Sequence, residues 1–427
     1  MTDLLDELKE RGFVALISDE EGLHEALRAP ITLYCGFDPS NRSLTVGNLL
    51  QVMLLAHFQR AGHRPIAVMG GGTGMIGDPS GKTSQRPLLS EEEIRTNLAC
   101  LKTQFQRFLD FSDRRALQLD NAAWLLQLRY ISFLREIGRH FTVNQLLQHE
   151  TYRQRLEGEG LSLIEFSYAL LQAYDFLHLY RAYDCILQVG GKDQWFNILT
   201  GTELIRRAAG GRAFALVTPL LMTASGEKMG KTEAGAVWLD ADRTSPYEYY
   251  QFWVNTEDAD VERFLALFTF LPLDEVRALG RLRGADLRQA KEVLAFEATR
   301  LAHGVQAAAA AQATSRALFG GKTSATIEAE ATIKGEARLV AQATAMPTTV
   351  VAEAQLAQGL SIVDALVQTG LAASNRAARD LIAQGGAYLN GARVERADVR
   401  LTLADFKDGA ALLRAGKKRY HRLVLER

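Results

Sequence analysis

The stretch from Val68 to Ser84, VMGGGTGMIGDPSGKTS, combines residue types that hold phosphate groups in two well-known kinds of nucleotide site. Its end, Gly81-Lys82-Thr83, matches the end of a phosphate-binding P-loop, in which another glycine must stand five residues before Gly81. Ile76 occupies that position, so the P-loop spacing fails. Lys82 and Arg86 could still bind phosphate oxygens from a glycine-rich loop, or they could be solvated surface cations.

The same stretch also spells the dinucleotide fingerprint G-x-G-x-x-G, with Gly77 as its third glycine. In that fingerprint the third glycine lies where a helix begins, so that the helix N-terminus faces a pyrophosphate. Here Asp78-Pro79 follows at once, and a residue before proline is disfavoured in helical conformation. The next helix signal is Ser90 followed by three glutamates. The context therefore predicts a long glycine loop that presents Asp78, rather than a dinucleotide turn.

Two further stretches carry polar groups that could serve a nucleotide. In YCGFDPSNRSLTVGN (34–48), Thr45 and Asn48 are spaced i, i+3 in the first turns of a helix, where hydrogen-bond donors suit phosphate. In GEKMGKT (226–232), two lysines three residues apart could clamp a polyphosphate. Taken alone, the first stretch is better explained as a capped helix beside a sheet and the second as a solvated surface loop.

The helical stretch EFSYALLQAYDFLHLY (165–180) carries a polar line. Tyr168, Gln172 and Asp175 are spaced i, i+4, i+7, which places them on one face of one helix over about 10 Å. Apolar residues surround the line on most sides, and buried polar groups need partners. The line could therefore contact both ends of a small zwitterionic ligand, or it could be the solvated outer face of the helix.

The elements that must position these groups alternate between strand and helix, which predicts a parallel sheet covered by helices. Ligands of such sheets bind at the carboxyl ends of the strands. The predicted strands are 31–37, 65–70, 185–191 and 214–221, and the predicted helices are 43–62, 90–111 and 193–208.

The pattern becomes helical from about residue 246, and beyond about 350 it predicts two short helices and a hairpin turned at Asn390-Gly391. An Ala/Thr-rich stretch separates these two parts. The domain limits that we infer are 1–225 for the parallel-sheet domain, 226–320 for the lysine-containing loop and helical domain, 321–355 for a linker, and 356–427 for the last module.

The bulk composition, with 427 residues, 47% hydrophobic and 23% charged, predicts an ordinary globular protein of two or three domains. There is no apolar stretch of the length that a membrane helix needs and no apolar segment near the N-terminus, so we expect neither a membrane protein nor a signal peptide. Cys35, Cys100 and Cys185 are far apart and odd in number, which predicts no disulfide framework, no zinc site and a reducing, cytoplasmic location.

The net charge of −1 conceals an asymmetry, because residues 373–427 hold 12 Lys and Arg against 6 Asp and Glu. A basic tail on a slightly acidic body suggests a polyanionic partner, or a merely basic solvated surface.

Taken together, these motifs resemble those of bacterial tyrosyl-tRNA synthetases, which are class I aminoacyl-tRNA synthetases. YCGFDPS…SLTVGN is similar to the family's first signature, which typically ends in His-Ile-Gly-His, and KMGKT is similar to its second, Lys-Met-Ser-Lys-Ser. GDPSGK, EFSY…LQAYDF and VGGKDQW follow in the family's order, and the C-terminal module resembles an S4 RNA-binding domain. The resemblance covers essentially the whole chain. It implies an α/β fold with a Rossmann-like catalytic domain, a helical domain and a small α+β S4-like domain.

The resemblance further implies a two-step reaction that joins tyrosine to tRNA(Tyr). The tyrosine carboxylate attacks the α-phosphate of ATP, which leaves tyrosyl-adenylate and pyrophosphate, and the tRNA 3′ end then takes the tyrosyl group. Such a transfer depends on positioning and charge stabilisation rather than on a protein nucleophile. The resemblance also implies Mg²⁺ with the ATP phosphates, no structural metal, no membrane and a homodimer.

Site residues are carried over only where a motif position matches. Those for tyrosine would be Tyr34 and Asp175 at its phenolic hydroxyl, Asp78, Tyr168 and Gln172 at its ammonium group, and Gln194 beside it. Those for ATP would be Cys35, Gly36, Asp38, Gly47, Gly191, Asp193 and Lys231. Charge stabilisation in catalysis would come from Lys82, Arg86, Lys228 and Lys231, with Ser40, Thr45, Asn48 and Thr232 as hydrogen-bond donors. RNA would be bound by Arg376, Arg379, Lys417, Lys418, Arg419 and Arg422, with an affinity that falls as salt rises.

Two positions depart from the family pattern, since Thr45 and Asn48 stand where the family commonly has histidine. Asn48 can still donate through its amide, whereas Thr45 is shorter and cannot carry a positive charge. Two other functions remain open beside that of a tyrosine–tRNA ligase. The chain could be an RNA-binding or regulatory protein built on a synthetase scaffold, or it could be the related synthetase for tryptophan. Asp175 with Tyr34 favours a phenol hydroxyl as the ligand group, and the second-signature lysines favour an active enzyme.

Overall fold

The computed structural model describes residues 3–80, 89–158, 160–226, 229–232, 235–319, 346–357, 359–407, 409–416 and 419–426. The chain forms two compact units, one of residues 1–240 and 256–290 and the other of residues 241–255 and 291–427. The domain limits inferred from composition and motifs stay a prediction. Within the described ranges, every helix is too short or too polar to cross a membrane.

The strands of the described residues are numbered in chain order. They are β1 Leu16–Ile17, β2 Thr32–Phe37, β3 Arg64–Met69, β4 Leu117–Asp120, β5 Cys185–Gly191, β6 Phe214–Thr218, β7 Lys231–Thr232, β8 Gly235–Ala236, β9 Thr348–Val351, β10 Ala387–Leu389, β11 Ala392–Arg393, β12 Ala410–Ala415 and β13 Arg419–Leu425.

The α-helices of the described residues are numbered in the same way. They are α1 Leu4–Arg11, α2 Glu20–Ala26, α3 Val46–Arg60, α4 Glu91–Phe105, α5 Ala122–Leu125, α6 Tyr130–Glu136, α7 Val143–Leu146, α8 Glu150–Glu157, α9 Leu163–Tyr183, α10 Trp195–Ala209, α11 Pro246–Val254, α12 Val261–Phe268, α13 Leu273–Gly280, α14 Leu287–His303, α15 Val305–Phe319, α16 Glu353–Ala357, α17 Ile362–Gln368 and α18 Asn375–Ala383.

The first unit is built on a six-stranded sheet in the order β1-β6-β5-β2-β3-β4, in which all neighbours are parallel except β1 and β6. Strands β2, β3, β5 and β6 are almost wholly buried, as expected for apolar runs covered by helices on both faces. The chain continues from β2 to β3 on one side and from β5 to β6 on the other, so β2 and β5 form the switch point of the sheet. The predicted parallel-sheet α/β fold is confirmed.

Helix α9 carries the predicted polar line, and a capping box fixes where it begins. Ser162 Oγ accepts a hydrogen bond from Glu165 N (3.3 Å), and Glu165 Oε2 accepts one from Ser162 N (3.2 Å). The Glu165 carboxylate is also paired with the Arg155 guanidinium of α8 at 3.1 Å, and both side chains are buried. Because its start is held in this way, the direction in which later residues of α9 point is also set.

Close packing against α10 holds α9 from another side. A Cβ atom added at Gly201 of α10 would lie 2.9 Å from Cδ1 of Phe176 on α9. Only glycine allows the two helices to approach this closely. Helix α10 follows β5 directly through the 3-10 turn Lys192–Gln194, so the sheet, α10 and α9 fix one another's positions.

The C-terminal part of the second unit contains a five-stranded sheet in the order β11-β10-β12-β13-β9. Helices α17 and α18 pack with this sheet around an apolar core that includes Leu366, Ile382 and Leu413. The predicted hairpin joins β10 to β11, and its turn residues Asn390 and Gly391 have φ values of 50° and 83°. Positive φ at both positions is what a two-residue hairpin turn of type I′ requires. The predicted small α+β module is therefore confirmed.

Candidate active site

A cavity of about 560 Å³ lies at the carboxyl ends of β2 and β5, at the switch point of the sheet. Ligands of open α/β sheets bind at this position. The lining brings together residues from β2, α3, the loop after β3, α9 and the end of β5. The sequence-predicted site residues among them are Tyr34, Cys35, Gly36, Asp38, Ser40, Thr45, Gly47, Asn48, Asp78, Tyr168, Gln172, Asp175, Gly191, Asp193 and Gln194.

The remaining predicted site residues of the first unit are cationic or lie beside the cations. Lys82, Arg86 and Lys228 fall outside the described residues. Lys231 and Thr232 form β7, which is described by its backbone. The roles assigned to these five residues therefore stay predictions.

The closed end of the cavity contains the Asp175 carboxylate, which is only 4% exposed. Asp175 Oδ1 accepts a hydrogen bond from Trp124 Nε1 at 2.6 Å, and Oδ2 accepts one from Asn121 Nδ2 at 2.9 Å. Burial raises the pKa of Asp175 to about 7, although both hydrogen bonds favour the charged form and act against the increase. Burial therefore makes this carboxyl group easier to protonate than an exposed aspartate.

The Tyr34 hydroxyl lies in the same part of the cavity. Tyr34 is 1% exposed, and its ring packs edge-on against Phe176 at 5.3 Å between centroids. Its hydroxyl oxygen has no hydrogen-bond partner among the residues that the structure describes. Burial raises the pKa of Tyr34, so the group is a neutral hydroxyl. A buried hydroxyl without a partner is costly, and a ligand that supplied the missing hydrogen bond would remove that cost.

A second carboxylate, Asp78, lines the cavity after the glycine loop. Its Oδ1 accepts from Ser80 N at 2.9 Å and its Oδ2 accepts from Gln194 Nε2 at 2.6 Å. Burial raises the pKa of Asp78, while these hydrogen bonds act in the opposite direction. The glycine loop passes close to β2, since a Cβ at Gly70 would lie 2.8 Å from Asp38 Oδ1. The predicted glycine loop thus ends in a buried acceptor, not in a helix N-terminus.

The first-signature residues Thr45 and Asn48 form a local pair at the start of α3. The Thr45 backbone N–H and the Thr45 hydroxyl both donate to Asn48 Oδ1, at 3.0 Å and 2.9 Å. Since Oδ1 accepts both bonds, Nδ2 is the polar atom of Asn48 that remains available to the cavity. The single hydroxyl hydrogen of Thr45 is used within the protein.

Main-chain contacts connect the first signature to the segment that follows the second. Val46 N donates to Val237 O at 3.0 Å, and Val237 N donates to Gly230 O at 3.0 Å. Gly230 has a φ of +81°, and a Cβ there would lie 3.1 Å from Gly47 N. The start of α3 and the chain around Gly230 are therefore held against each other by backbone atoms.

Asn121 and Trp124 are functional candidates that the sequence analysis missed. Asn121 follows β4 directly, and Trp124 lies one turn later in α5. Both are buried. In the sequence, the position of Asn121 at the end of a short strand was the one feature that could have indicated its role. That strand, β4, was itself not predicted, because it lacks the long apolar run of β2 and β3.

The predicted RNA-binding residues belong to the C-terminal module. Arg376 and Arg379 lie exposed on α18, Arg419 is exposed at the start of β13, and Arg422 of the same strand is half-buried. Lys417 and Lys418 fall outside the described residues.

Two segments of the chain each match a known protein family. Residues 26–320 match the family described as tRNA synthetases class I (W and Y), and residues 339–423 match the tyrosine–tRNA ligase SYY-like C-terminal domain.

Individual relatives match over the whole chain. The chain is 52% identical over 426 residues to the tyrosine–tRNA ligase of Desulfatibacillum aliphaticivorans, with 99% of each chain covered. It is 50% identical over 424 residues to that of Caldanaerobacter subterraneus subsp. tengcongensis, again with 99% of each covered. Among solved structures, a C-terminally truncated mitochondrial tyrosyl-tRNA synthetase from Aspergillus nidulans is 29% identical with a TM-score of 0.68, covering 75% of this chain and 95% of that one.

The buried carboxyl group at the closed end gives a direct prediction about protonation. We expect Asp175 to carry a proton below a pH of about 7 and to lose it as the pH rises through that value, because burial raises its pKa. Infrared difference spectra of wild type minus Asp175→Asn, recorded across a pH series, measure this through the band of the protonated carboxyl group.

A matched variant tests the cause of the titration. Trp124→Phe removes a hydrogen bond that favours the carboxylate, so the midpoint should move to higher pH. A wild-type midpoint near 4, or a midpoint that does not move in Trp124→Phe, would contradict this description of the closed end.

Proposed function

The chain belongs to the tyrosine–tRNA ligase family, and we propose that it forms tyrosyl-adenylate in the cavity between β2 and β5. The observation that carries this proposal is the different chemistry of the two ends of the cavity. The closed end presents the buried Asp175 acceptor and the unpartnered Tyr34 hydroxyl, and the wall beside the glycine loop presents the Asp78 carboxylate. Tyrosine has a hydroxyl group at one end and an ammonium group at the other.

In this proposal the tyrosine side chain points into the closed end. Asp175 accepts a hydrogen bond from the phenol O–H, and the Tyr34 hydroxyl donates to the phenol oxygen. The Tyr34 hydroxyl then gains the hydrogen-bond partner that it lacks among the described residues, and Asp175 accepts one further hydrogen bond. Asp78, Tyr168 and Gln172 bind the ammonium group, and Gln194 lies beside the ligand.

We assign ATP to the part of the cavity formed by the starts of α3 and α10. Cys35, Gly191 and Asp193 hold the ribose, and Gly36 and Gly47 leave room for the nucleotide beside the backbone. Burial raises the pKa of the Cys35 thiol, so this group is a hydrogen-bond donor and not a thiolate nucleophile. The backbone at Asp38 lies at the α-phosphate.

The chemical step then needs no covalent help from the protein. A tyrosine carboxylate oxygen attacks the α-phosphorus, the bond to the bridging oxygen of the β-phosphate breaks, and pyrophosphate leaves with the displaced electron pair. ATP arrives as its Mg²⁺ complex, so the ion is part of the substrate. The developing charge is stabilised by four cations, with hydroxyl donors beside them. The cations are Lys82, Arg86, Lys228 and Lys231, and the hydroxyl donors are Ser40 and Thr232.

We propose that Thr45 acts through Asn48 and does not contact the phosphates itself. Its hydroxyl hydrogen is directed at Asn48 Oδ1, and this bond keeps the Asn48 Nδ2 donor directed into the cavity. Thr45 is then a positioning residue, and Asn48 is the residue that meets ATP.

In the second step a hydroxyl of the tRNA 3′ end attacks the tyrosyl carbonyl, and AMP leaves. The basic residues of the C-terminal module bind the RNA backbone. They are Arg376, Arg379, Lys417, Lys418, Arg419 and Arg422.

We further propose that two copies of the chain associate through an apolar surface near α6, which we call the α6 surface. It consists of Leu126, Tyr130, Ile131, Leu134 and Val143, which are 58%, 70%, 66%, 42% and 58% exposed. Three of these side chains, Tyr130, Ile131 and Leu134, lie on the same helix, and contiguous exposed apolar surface is typical of association sites.

We assign the protein to the cytoplasm. Cys35 and Cys185 are buried thiols without a disulfide partner, as is typical of proteins in a reducing compartment.

The activity is tested by exchange of pyrophosphate into ATP. We expect exchange that requires tyrosine and is not supported by tryptophan. In Asp175→Ala the KM for tyrosine should rise roughly ten- to hundredfold, because a hydrogen bond to a charged group is lost, while the KM for ATP stays unchanged. In the wild type the KM for tyrosine should fall as the pH rises through about 7, because the carboxylate is the form that accepts the phenol O–H.

Two results would contradict the proposal. A folded wild-type protein without tyrosine-dependent exchange would exclude the reaction. Equal losses for tyrosine and ATP in Asp175→Ala would exclude the role given to that residue.

The pairing of Thr45 with Asn48 is tested by a double-mutant cycle. Thr45→Val keeps the shape and removes the hydroxyl, and we expect the KM for ATP to rise by up to roughly tenfold with an unchanged KM for tyrosine. Thr45→Ser, the matched control, should remain close to wild type.

In the Asn48→Ala background, Thr45→Val should have no further effect, since Thr45 acts through Asn48. Independent, additive losses from the two substitutions would show that Thr45 contacts the nucleotide directly.

The α6 surface is tested by sedimentation. The wild type should sediment with twice the chain mass of 47.1 kDa, and Ile131→Asp should shift it toward the mass of one chain. Val350→Asp is the matched control, because Val350 is also 60% exposed but lies in β9. A dimer that persists in Ile131→Asp and dissociates in Val350→Asp would place the contact elsewhere.

A further inference from the structure

The Trp124 indole at the closed end is itself stacked on another ring. The His178 imidazole lies on its face, with ring centroids 4.5 Å apart and ring planes 16° from parallel. His178 is in α9, one turn beyond Asp175, so α9 supplies both the carboxylate and the ring that supports its donor.

The direction of the indole N–H depends on this stack. The N–H group lies in the plane of the ring, and it donates to Asp175 Oδ1 at 2.6 Å. If the indole tilted about its side-chain bonds, the donor would leave the carboxylate. A ring packed flat on one face resists such a tilt, since tilting would separate the two planes.

Burial, and not a neighbouring charge, keeps His178 a neutral ring. On its own helix it faces Tyr174, whose ring centroid is 6.5 Å away, and Asp175, with Arg181 one turn further on. From α6, Phe133 packs on Tyr174. Burial lowers the pKa of His178, in agreement with a stack between two uncharged rings at neutral pH.

We propose that His178 is a positioning residue for recognition of the substrate hydroxyl group. The His178 ring holds the plane of the Trp124 indole, and the indole N–H therefore stays directed at Asp175. This hydrogen bond orients the Asp175 carboxylate and favours its charged form, which accepts a hydrogen bond from the phenol more strongly than the protonated form does. This inference rests on the proposed role of Asp175 in tyrosine binding. His178 does not contact the substrate in this scheme, so its effect is confined to the tyrosine end of the cavity.

The experiment compares His178→Ala, which removes the stack, with His178→Phe, which keeps a flat ring. In His178→Ala we expect the KM for tyrosine to rise roughly twofold to tenfold, the size of an aromatic pair interaction, with unchanged KM for ATP. His178→Phe should restore the wild-type value. In the Trp124→Phe background, His178→Ala should cause no further increase, because the N–H that His178 orients is absent.

A second measurement does not depend on catalysis. The infrared titration of Asp175 should show a higher midpoint in His178→Ala than in wild type, in the same direction as Trp124→Phe, and the wild-type midpoint in His178→Phe. If His178→Ala does not fold, His178→Leu replaces it, since leucine keeps apolar bulk without a flat ring.

An unchanged KM for tyrosine and an unchanged Asp175 midpoint in folded His178→Ala would overturn the inference. Equal increases of the KM for tyrosine and for ATP would also overturn it, since they indicate a general loss of structure. Failure of the proposed function is distinct, because it would appear as missing tyrosine-dependent exchange in the wild type.

Discussion

A carboxyl group buried almost completely at the closed end of the cavity is the constraint on which the candidate site depends. Burial disfavours the charged form of Asp175, and hydrogen bonds from two neutral donors act against this effect. Trp124 and Asn121 are those donors, and they come from the segment after β4, far from α9 in the sequence. The edge strand β4, the short helix α5 and the middle of α9 must therefore all be in place before the closed end can accept a hydrogen bond.

The two carboxylates of the cavity are held in different ways. Asp175 is bound by the indole of Trp124, which belongs to a buried apolar cluster, and by the amide of the buried Asn121. Asp78 is bound by Ser80 N and by Gln194, which itself lines the cavity. The carboxylate at the closed end is therefore fixed by two core side chains, whereas Asp78 shares a partner with the cavity lining.

Sequence periodicity was sufficient for the parts of the site that lie on one element. The i, i+4, i+7 spacing placed Tyr168, Gln172 and Asp175 on one helix face, and the structure shows all three in the cavity lining. The apolar runs located β2, β3, β5 and β6, because buried parallel strands are continuously apolar. The alternation of strands and helices predicted a parallel sheet, whereas the order of its strands, and with it the switch point, came from the structure.

Contacts between distant segments could not be read in the same way. Asn121 and Trp124 meet Asp175 because β4 pairs with β3 in one particular register, and Leu117–Asp120 has no strong pattern of its own. The stack of His178 on Trp124 depends on the same pairing. The hydrogen bond between Thr45 and Asn48 could not be predicted for a different reason. The hydroxyl of a residue at a helix N-cap can donate either to a ligand or to its own helix, and the sequence is compatible with both.

The backbone contacts that join the start of α3 to the chain around Gly230 and Val237 have a consequence for amino-acid substitution. Hydrogen bonds between main-chain atoms do not depend on most side chains, so the frame that joins the two signatures tolerates different residues at positions 45 and 48. Substitutions at these two positions can change the chemistry of the cavity while the frame stays in place, provided that Gly230, with its φ of +81° and its close approach to Gly47 N, remains glycine.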